Sequence, residues 1–379
     1  MSQDFVRRMP SAGFGQTRTV GLGEKFHLDI PIILLLLMIC AYGLLILYSA
    51  VGQQTAPVVN QLIKIGVAFG VMIVMAQISP IFYLRIAPWL FVAGILLLIA
   101  VLFVGTTVNG SQRWLRIPGV LNFQPSELMK LVIPMMLASY FHDRHLPPLR
   151  KHVFWACVMI LIPVLLIARQ PDLGTSLLIG ASGLLVLLLA GISWRYVFGA
   201  FIAGLMAAPA LWYVMRDYQR TRVMILLDPE RDPLGAGWNI IQSKTAIGSG
   251  GLFGKGLFQG TQSHLDFLPE SQTDFIVAVL AEELGLIGVT LLLVLYILLV
   301  GRGVVIAIQA QDTFGRLLVG TITFTFFVYV FVNVGMVSGI LPVVGVPLPL
   351  VSHGGTAILT LFAGFGIIMS VHTHRRITL

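Results

Sequence analysis

A carboxylate at the boundary between a polar segment and an apolar one is the feature of this sequence best suited to chemistry. Asp274 ends a polar run that begins at about Arg216, and a long hydrophobic segment follows at once. A carboxylate beside apolar groups is partly desolvated, which raises its proton affinity toward that of a useful general base. The alternative is that Asp274, with Thr273, caps the following helix. The residues alone leave both interpretations open.

A basic and aromatic group occurs earlier in the chain. Trp114 stands between Arg113 and Arg116. The tryptophan is either an anchor at the membrane surface or a stacking platform for a sugar ring. Further on, an Arg–Asp pair, Arg169 and Asp172, brackets a proline turn, and such a pair is usually structural.

Glu127 and Lys130 are three residues apart and therefore share one face of a predicted helix. Ser126 is the expected N-cap of that helix, which places Glu127 in its first turn. The pair either satisfies itself as an ion pair or lines a cavity that receives a charged or hydroxyl-rich ligand. Ionisable groups at membrane depth are typically functional.

The segment 248–256 is rich in glycine, contains Ser249 and Lys255, and follows Lys244. Consecutive glycines can present N–H groups to an anion, and flexibility is the alternative. The spacing is not that of a nucleotide loop, and the segment lies in a predicted outside loop, where ATP is scarce. If an anion binds there, a lipid-linked pyrophosphate suits the location better than a nucleotide. The preceding stretch is helical by pattern and carries on one face Trp238, Ile241, Gln242 and Thr245.

Prolines and glycines prevent a regular helix between residues 339 and 355, although this segment lies at apparent membrane depth. Irregular backbone is tolerated there only where protein or a cavity covers it. His353, within this segment, is either a titrating group or a hydrogen-bonded structural histidine.

The composition identifies the chain as a membrane protein. It is 57% hydrophobic and only 11% charged, whereas soluble domains carry about 25% charged residues. Continuous apolar runs without period-two alternation favour helices over a barrel. We predict an all-α integral membrane protein with about ten transmembrane helices. They span roughly 28–50, 60–79, 81–104, 126–141, 153–168, 175–190, 196–214, 275–300, 316–337 and 354–371.

The distribution of lysine and arginine predicts that both termini are cytoplasmic. Residues 1–27 form an expected flexible tail, residues 28–371 the catalytic membrane domain, and residues 372–379 a second short tail. Residues 215–274 then form a large extracytoplasmic loop between helices 7 and 8. The net charge of +8 reflects this orientation bias and does not indicate nucleic acid. Cys40 and Cys157 lie in apolar spans and predict no disulfide.

Four motifs in order resemble those of the shape, elongation, division and sporulation (SEDS) family. The resemblance covers almost the whole chain from about residue 28. The motifs are Gln124-Pro-Ser-Glu127-x2-Lys130, Gly248-Ser-Gly-Gly-x2-Gly-x-Gly256, Leu268-Pro-Glu-x2-Thr-Asp274-Phe and Asn333-x5-Gly339-x2-Pro342-x2-Gly345-x-Pro-Leu-Pro-Leu-Val-Ser352-x-Gly-Gly-Thr356. Ser352-His-Gly-Gly-Thr356 and Gly260-Thr-Gln262-Ser-His264 resemble the elongation branch of the family more than the division branch. Val277 and Ser271-Gln272 depart from the family pattern.

The resemblance implies a peptidoglycan glycosyltransferase that polymerises lipid II in the bacterial cytoplasmic membrane. Asp274 would be the general base, undecaprenyl pyrophosphate would leave, and the anomeric configuration would invert. The resemblance implies as partners a class B penicillin-binding protein, other elongation-complex proteins and membrane lipids. Positive groups, or a divalent cation such as Mg²⁺, must meet the charge on the leaving group. The predicted substrate-binding residues are Arg113, Trp114, Glu127, Lys130, Trp238, Gln242, Lys244, Ser249, Lys255, Gln262 and Ser352.

Three alternatives compete with this function. A flippase for lipid-linked sugars would share the fold and the polar cavity, but the sequence has no internal repeat of the kind many transporters show. A non-catalytic scaffold would make Asp274 dispensable. A division-type homologue would have the same chemistry in a different cellular role.

Overall fold

The computed structural model describes residues 26–108, 111–116, 122–170, 172–215, 217–232, 237–264 and 270–374. The predicted tails lie almost entirely outside these ranges. The first seven helices are α1 (Ile30–Ala50), α2 (Thr55–Gln77), α3 (Pro80–Val104), α4 (Pro125–His142), α5 (Arg150–Arg169), α6 (Leu173–Leu189) and α7 (Trp194–Val214). They are followed by α8 (Asp217–Leu227), α9 (Trp238–Gly250), α10 (Thr261–His264), α11 (Ile276–Gln309), α12 (Thr313–Val337) and α13 (Thr356–Thr373).

Each of the ten predicted spans corresponds to one of the long helices, and the all-α membrane fold is confirmed. Seven helices in the described chain are long and apolar enough to cross a membrane, namely α1, α2, α3, α5, α11, α12 and α13. The other three predicted spans, α4, α6 and α7, are shorter, more polar or only partly described. A count of ten spans therefore stays a prediction.

A small antiparallel sheet joins α3 to α4, and the sequence did not predict it. Its strands are β1 (Thr106–Val108), β2 (Ser111–Arg116) and β3 (Asn122–Phe123), in that spatial order. Because β2 carries Arg113 and Trp114, the sheet holds two predicted site residues beside the start of α4.

Helix α12 forms the centre of the bundle and packs against α4, α6 and α11, while α13 packs along α2. Most side chains of α12 are buried, including Asn333. By contrast, α7 leaves large apolar side chains exposed, with Trp194 at 70% and Phe201 at 64% of their full exposure. Large apolar side chains exposed along a helix are typical of a surface that lipid or a protein partner covers.

The glycine-rich segment 251–256 docks on a kink in α11. Gly285 has φ +65° and interrupts the helix, which frees carbonyl oxygens in the turn before it. The N–H groups of Lys255 and Gly256 donate to the carbonyls of Glu282 and Glu283 at 2.9 and 3.0 Å. Both N–H groups are thus occupied by the protein, so at these two positions the anion cradle suggested by the sequence is not formed.

Glycine is needed here for a close backbone approach. A Cβ atom on Gly250 would lie 1.9 Å from the carbonyl oxygen of Ala281, on α11, whereas one on Gly248 would meet nothing within 4 Å. Both glycines belong to α9, so alanine substitutions at the two positions can be compared directly.

We expect Gly250→Ala to destabilise the protein by about 2–3 kcal/mol, because backbone atoms cannot yield to the new methyl group. Gly248→Ala should be neutral or slightly stabilising, since alanine favours a helix. Thermal unfolding in detergent checks both variants. Equal unfolding temperatures for the two would contradict the docked arrangement.

Candidate active site

A cavity of about 450 Å³ opens between α4, α6, α12, α13 and the segment 344–356. Its lining includes polar side chains, Asp274 among them, and apolar side chains such as Leu131 and Phe365. Six of the predicted site residues border this cavity, namely Arg113, Trp114, Glu127, Lys130, Asp274 and Ser352.

The main chain at Asp274 is held by α12 and by the irregular segment predicted from its prolines and glycines, and that segment is indeed non-helical. The Asn333 side-chain amide donates to the Asp274 carbonyl at 2.9 Å and to the Val346 carbonyl at 2.7 Å. The Ser352 hydroxyl donates to the carbonyl of Thr273 and accepts from the N–H of Leu348 at 2.8 Å. Asn333 and Ser352 therefore fix the backbone that carries the carboxylate.

The Asp274 side chain does not cap α11. The N-cap residue is Phe275, and no side chain makes the capping hydrogen bond. Within the described chain no side chain donates a hydrogen bond to the Asp274 carboxylate, so its oxygens are available to a ligand. This geometry removes the capping interpretation that the sequence left open.

Burial, and after it the nearby Glu270 carboxylate, raise the pKa of Asp274 to about 6, while Arg222 and Arg113 oppose the shift. The backbone at Gly345, with φ +74°, lies close by, and a Cβ there would be 3.4 Å from the Asp274 carboxylate. A carboxyl group with a pKa near 6 is ionised at neutral pH and still basic enough to accept a proton.

Glu127 and Lys130 form a buried ion pair, with Lys130 Nζ 2.5 Å from Glu127 Oε1. The Lys130 ammonium also lies over the Tyr329 ring, 4.8 Å from its centroid. The predicted cap was wrong: the N-cap of α4 is Gln124, and Pro125 takes the first helical position. Ser126 lies buried inside the first turn and accepts a hydrogen bond from the Gln124 side chain at 2.9 Å.

Asp172 is a cavity residue that the sequence assigned only to a local turn. Its carboxylate pairs with Arg113 at 3.3 Å and not with Arg169, which corrects the expected local pair. Gln124 donates to it at 3.3 Å, and it caps α6 by accepting from the N–H of Thr175 at 3.2 Å. Because Asp172 and Arg113 are far apart in sequence, spacing could not have indicated this pair.

Six predicted site residues do not line the cavity. Trp238, Gln242 and Lys244 lie on α9, whose buried residues are Ile240, Ser243, Ala246 and Gly250, so the predicted common face is not the buried one. The Ser249 hydroxyl donates to the Ala246 carbonyl at 2.9 Å within the same helix.

Lys255 and Gln262 surround a second buried carboxylate. Lys255 Nζ lies 2.7 Å from Glu282 Oε1, and the N–H groups of Thr261 and Gln262 donate to the same carboxylate at 2.8 and 3.1 Å. These contacts attach the segment 255–262 to α11. Binding of substrate by these residues stays a prediction.

The sequence matches a known protein family and a known enzyme over most of its length. The FtsW/RodA/SpoVE family, described as cell cycle proteins, matches residues 29–377. The peptidoglycan glycosyltransferase MrdB of Escherichia coli K12 is 54% identical over 354 residues, which cover 93% of this chain and 95% of that protein.

Solved structures resemble the chain over most of its length. A chain from a peptidoglycan synthase complex, described as coordinating polymerization and crosslinking, superposes with a TM-score of 0.81 at 31% identity and covers 92% of this chain and 99% of that one. The rod shape determining protein RodA of Thermus thermophilus superposes with a TM-score of 0.69 at 29% identity, covering 91% and 96%. The family match spans nearly the entire bundle and every helix that borders the cavity. The chain therefore belongs to the FtsW/RodA/SpoVE family of cell cycle proteins.

Proposed function

We propose that this protein is a peptidoglycan glycosyltransferase of the bacterial cytoplasmic membrane that polymerises lipid II during cell elongation. The family, the glycosyltransferase relative and the synthase-complex neighbour support this function. One observation carries it for this chain: Asp274 borders a cavity that is lined by both polar and apolar side chains. A substrate with a sugar head and an isoprenoid tail needs both.

The reaction requires one base. A hydroxyl oxygen of the acceptor sugar attacks the anomeric carbon of the donor, and the bond from that carbon to the pyrophosphate breaks. Asp274 takes the hydroxyl proton as the new glycosidic bond forms, and undecaprenyl pyrophosphate leaves with the electron pair. Direct displacement inverts the configuration and needs no enzyme nucleophile, as in inverting glycosidases.

The apolar side chains that line the cavity suit the lipid tail. Leu131 on α4, Phe326 on α12 and Phe365 on α13 are among them. These helices place the tail at membrane depth while the sugars stay beside Asp274. Burial of isoprene units contributes affinity without affecting the reacting atoms.

Positive charge must meet the pyrophosphate as it leaves. Arg113 and Lys130 are the two predicted basic residues that border the cavity. A divalent cation such as Mg²⁺ could supply further charge. In the described ranges no three His, Cys, Asp or Glu side chains come together as ligands, so phosphate oxygens would have to provide much of its coordination.

The partner that fits this function is a class B penicillin-binding protein, which would cross-link the strands this protein makes. The structural neighbour described as coordinating polymerization and crosslinking supports that pairing. Other elongation proteins are then expected to regulate the complex.

We expect Asp274→Asn to reduce lipid II polymerisation at least 100-fold, since a positioned base contributes about 10²–10⁴ in rate. Purified protein, alone and with its penicillin-binding partner, is supplied with lipid II in detergent and the glycan product is measured. The variant should stay folded. Equal polymerisation by the variant would exclude Asp274 as base, and translocation of lipid II without polymer would favour a flippase.

The pKa of Asp274 also predicts the pH dependence. Because the carboxylate must be ionised to accept a proton, kcat/KM should rise with pH to a plateau above about 6 and fall about ten-fold per unit below it.

The pKa of Asp274 in the folded protein is raised above its usual value, so ionisation of Asp274 destabilises the fold as pH rises through about 6. Asp274→Asn should therefore unfold at an equal or higher temperature than wild type at about pH 8. A variant that is less stable at that pH would contradict the desolvated setting.

A double-mutant cycle distinguishes a structural role of the Lys130–Glu127 pair from a role of Lys130 in polymerisation. Lys130→Met leaves the Glu127 carboxylate buried without its cation, which should cost about 3–5 kcal/mol of stability. Adding Glu127→Gln should restore the unfolding temperature. If Lys130 also meets the pyrophosphate, polymerisation stays low in the double variant. Recovery of both stability and polymerisation would show that the pair is only structural.

A further inference from the structure

His353 and Lys64 form a second polar contact at the cavity that the mechanism above does not use. His353 is among the residues that line the cavity, and Lys64 Nζ, from α2, lies 3.3 Å from His353 Nε2. The His353 Nδ1 atom is buried and has no hydrogen-bond partner in the described residues. Such an atom is costly unless a ligand or water satisfies it.

The contact with Lys64 determines which ring nitrogen carries the proton. An ammonium group can only donate, so His353 Nε2 must accept, and the proton of the neutral ring is on Nδ1. Burial and the Lys64 charge both lower the pKa of His353, which keeps the ring neutral at physiological pH. His353 Nδ1–H is therefore a donor that lacks an acceptor among the residues that the structure describes.

The Lys64 charge is not compensated by an acidic residue. Among the described residues no carboxylate lies within ion-pair distance of Lys64, and its contact is the uncharged imidazole. In the same chain Lys130 is neutralised by Glu127, and Lys255 by Glu282. An uncompensated ammonium at membrane depth indicates an anionic ligand nearby.

The position of the ring relative to Asp274 is fixed. On α2, one turn before Lys64, the Gln61 side chain donates to the Ser352 carbonyl at 3.1 Å and accepts from the N–H of Gly354 at 3.4 Å. The N–H of His353 donates to the carbonyl of Gln272 at 2.9 Å, two residues before the proposed base. Helix α2 and the Asp274 segment therefore hold His353 from two sides.

The start of α13 contributes to the same side of the cavity. Gly354 and Gly355 border the cavity, and Gly355 is the N-cap of α13 without a side chain that could cap it. The N-terminal end of a helix favours an anion through its free N–H groups and its dipole. This helix end adds its positive potential to that of the Lys64–His353 contact. Without that contact, the helix end would not define a site.

We propose that His353, oriented by Lys64, donates a hydrogen bond from Nδ1 to a phosphate oxygen of the lipid-linked pyrophosphate. The inference deepens the proposed function and rests on it. His353 transfers no proton, because the leaving group departs as an anion and the hydrogen bond stabilises its growing charge. Lys64 is a positioning residue that fixes the tautomer and adds positive potential.

Two substitutions of His353 separate its two nitrogens. Asparagine places an amide N–H near the position of Nδ1, whereas glutamine reaches the position of Nε2 and removes the Nδ1 donor. Lys64→Met removes the charge with little change in length. Lys151→Met removes the same charge from a residue at the start of α5, outside the cavity, and serves as the control.

The experiment measures binding of farnesyl pyrophosphate, farnesyl monophosphate and inorganic pyrophosphate to the purified full-length protein in detergent. His353→Gln and Lys64→Met should weaken farnesyl pyrophosphate binding about ten-fold, as expected for one lost hydrogen bond to a charged group. His353→Asn should stay within about three-fold of wild type, and Lys151→Met should be unchanged. The same losses with inorganic pyrophosphate would support the site and assign its affinity to the head group.

Wild-type affinity in His353→Gln, or equal losses in His353→Asn and His353→Gln, would overturn the proposal. If His353→Gln does not fold, Lys64→Met decides the outcome, since unchanged binding in that variant is equally contradictory. Binding is measured without turnover. A wild-type protein that makes no glycan would overturn the proposed function, while the binding data would still decide the role of His353.

Discussion

The structure depends on holding one carboxylate at the edge of the membrane without neutralising it. A carboxylate in full contact with water is a weak base, and one paired directly with arginine is weaker still. Asp274 avoids both conditions because it is fixed through its backbone. Asn333 binds its carbonyl oxygen and Ser352 binds that of the preceding residue, which leaves the carboxylate itself free for a substrate.

This constraint explains the irregular segment between α12 and α13. A continuous helix could not turn Val346 and Ser352 toward the Asp274 segment and also border the cavity. The free backbone groups of the irregular segment are instead satisfied by side chains from α2 and α12, such as Gln61 and Asn333. Non-helical backbone at membrane depth is stable when protein supplies these partners. The cost of breaking the helix is thus offset within the site itself.

Features that depend on local pattern could be predicted from the sequence. Hydrophobic runs identified the long helices, and the position of Asp274 at the end of a polar run indicated a carboxylate that borders the cavity. Contacts between distant parts of the chain could not be predicted in this way. Asp172 looked like the partner of Arg169, its near neighbour, but pairs with Arg113. The glycines at 250 and 254 suggested an anion cradle, yet they allow α9 and its following loop to approach the kinked α11. Lys64 gave no signal, because an isolated lysine in an apolar run does not reveal which loop it meets.

The most direct test of Asp274 as the base is the structure of the Asp274→Asn variant bound to lipid II at both donor and acceptor positions. We predict that the attacking hydroxyl of the acceptor sugar lies within hydrogen-bond distance, about 3 Å, of the substituted side chain at position 274. The donor's isoprenoid tail should occupy the cavity beside Phe365. An acceptor hydroxyl that faces away from position 274, with another side chain in reach of its proton, would contradict the role given to Asp274.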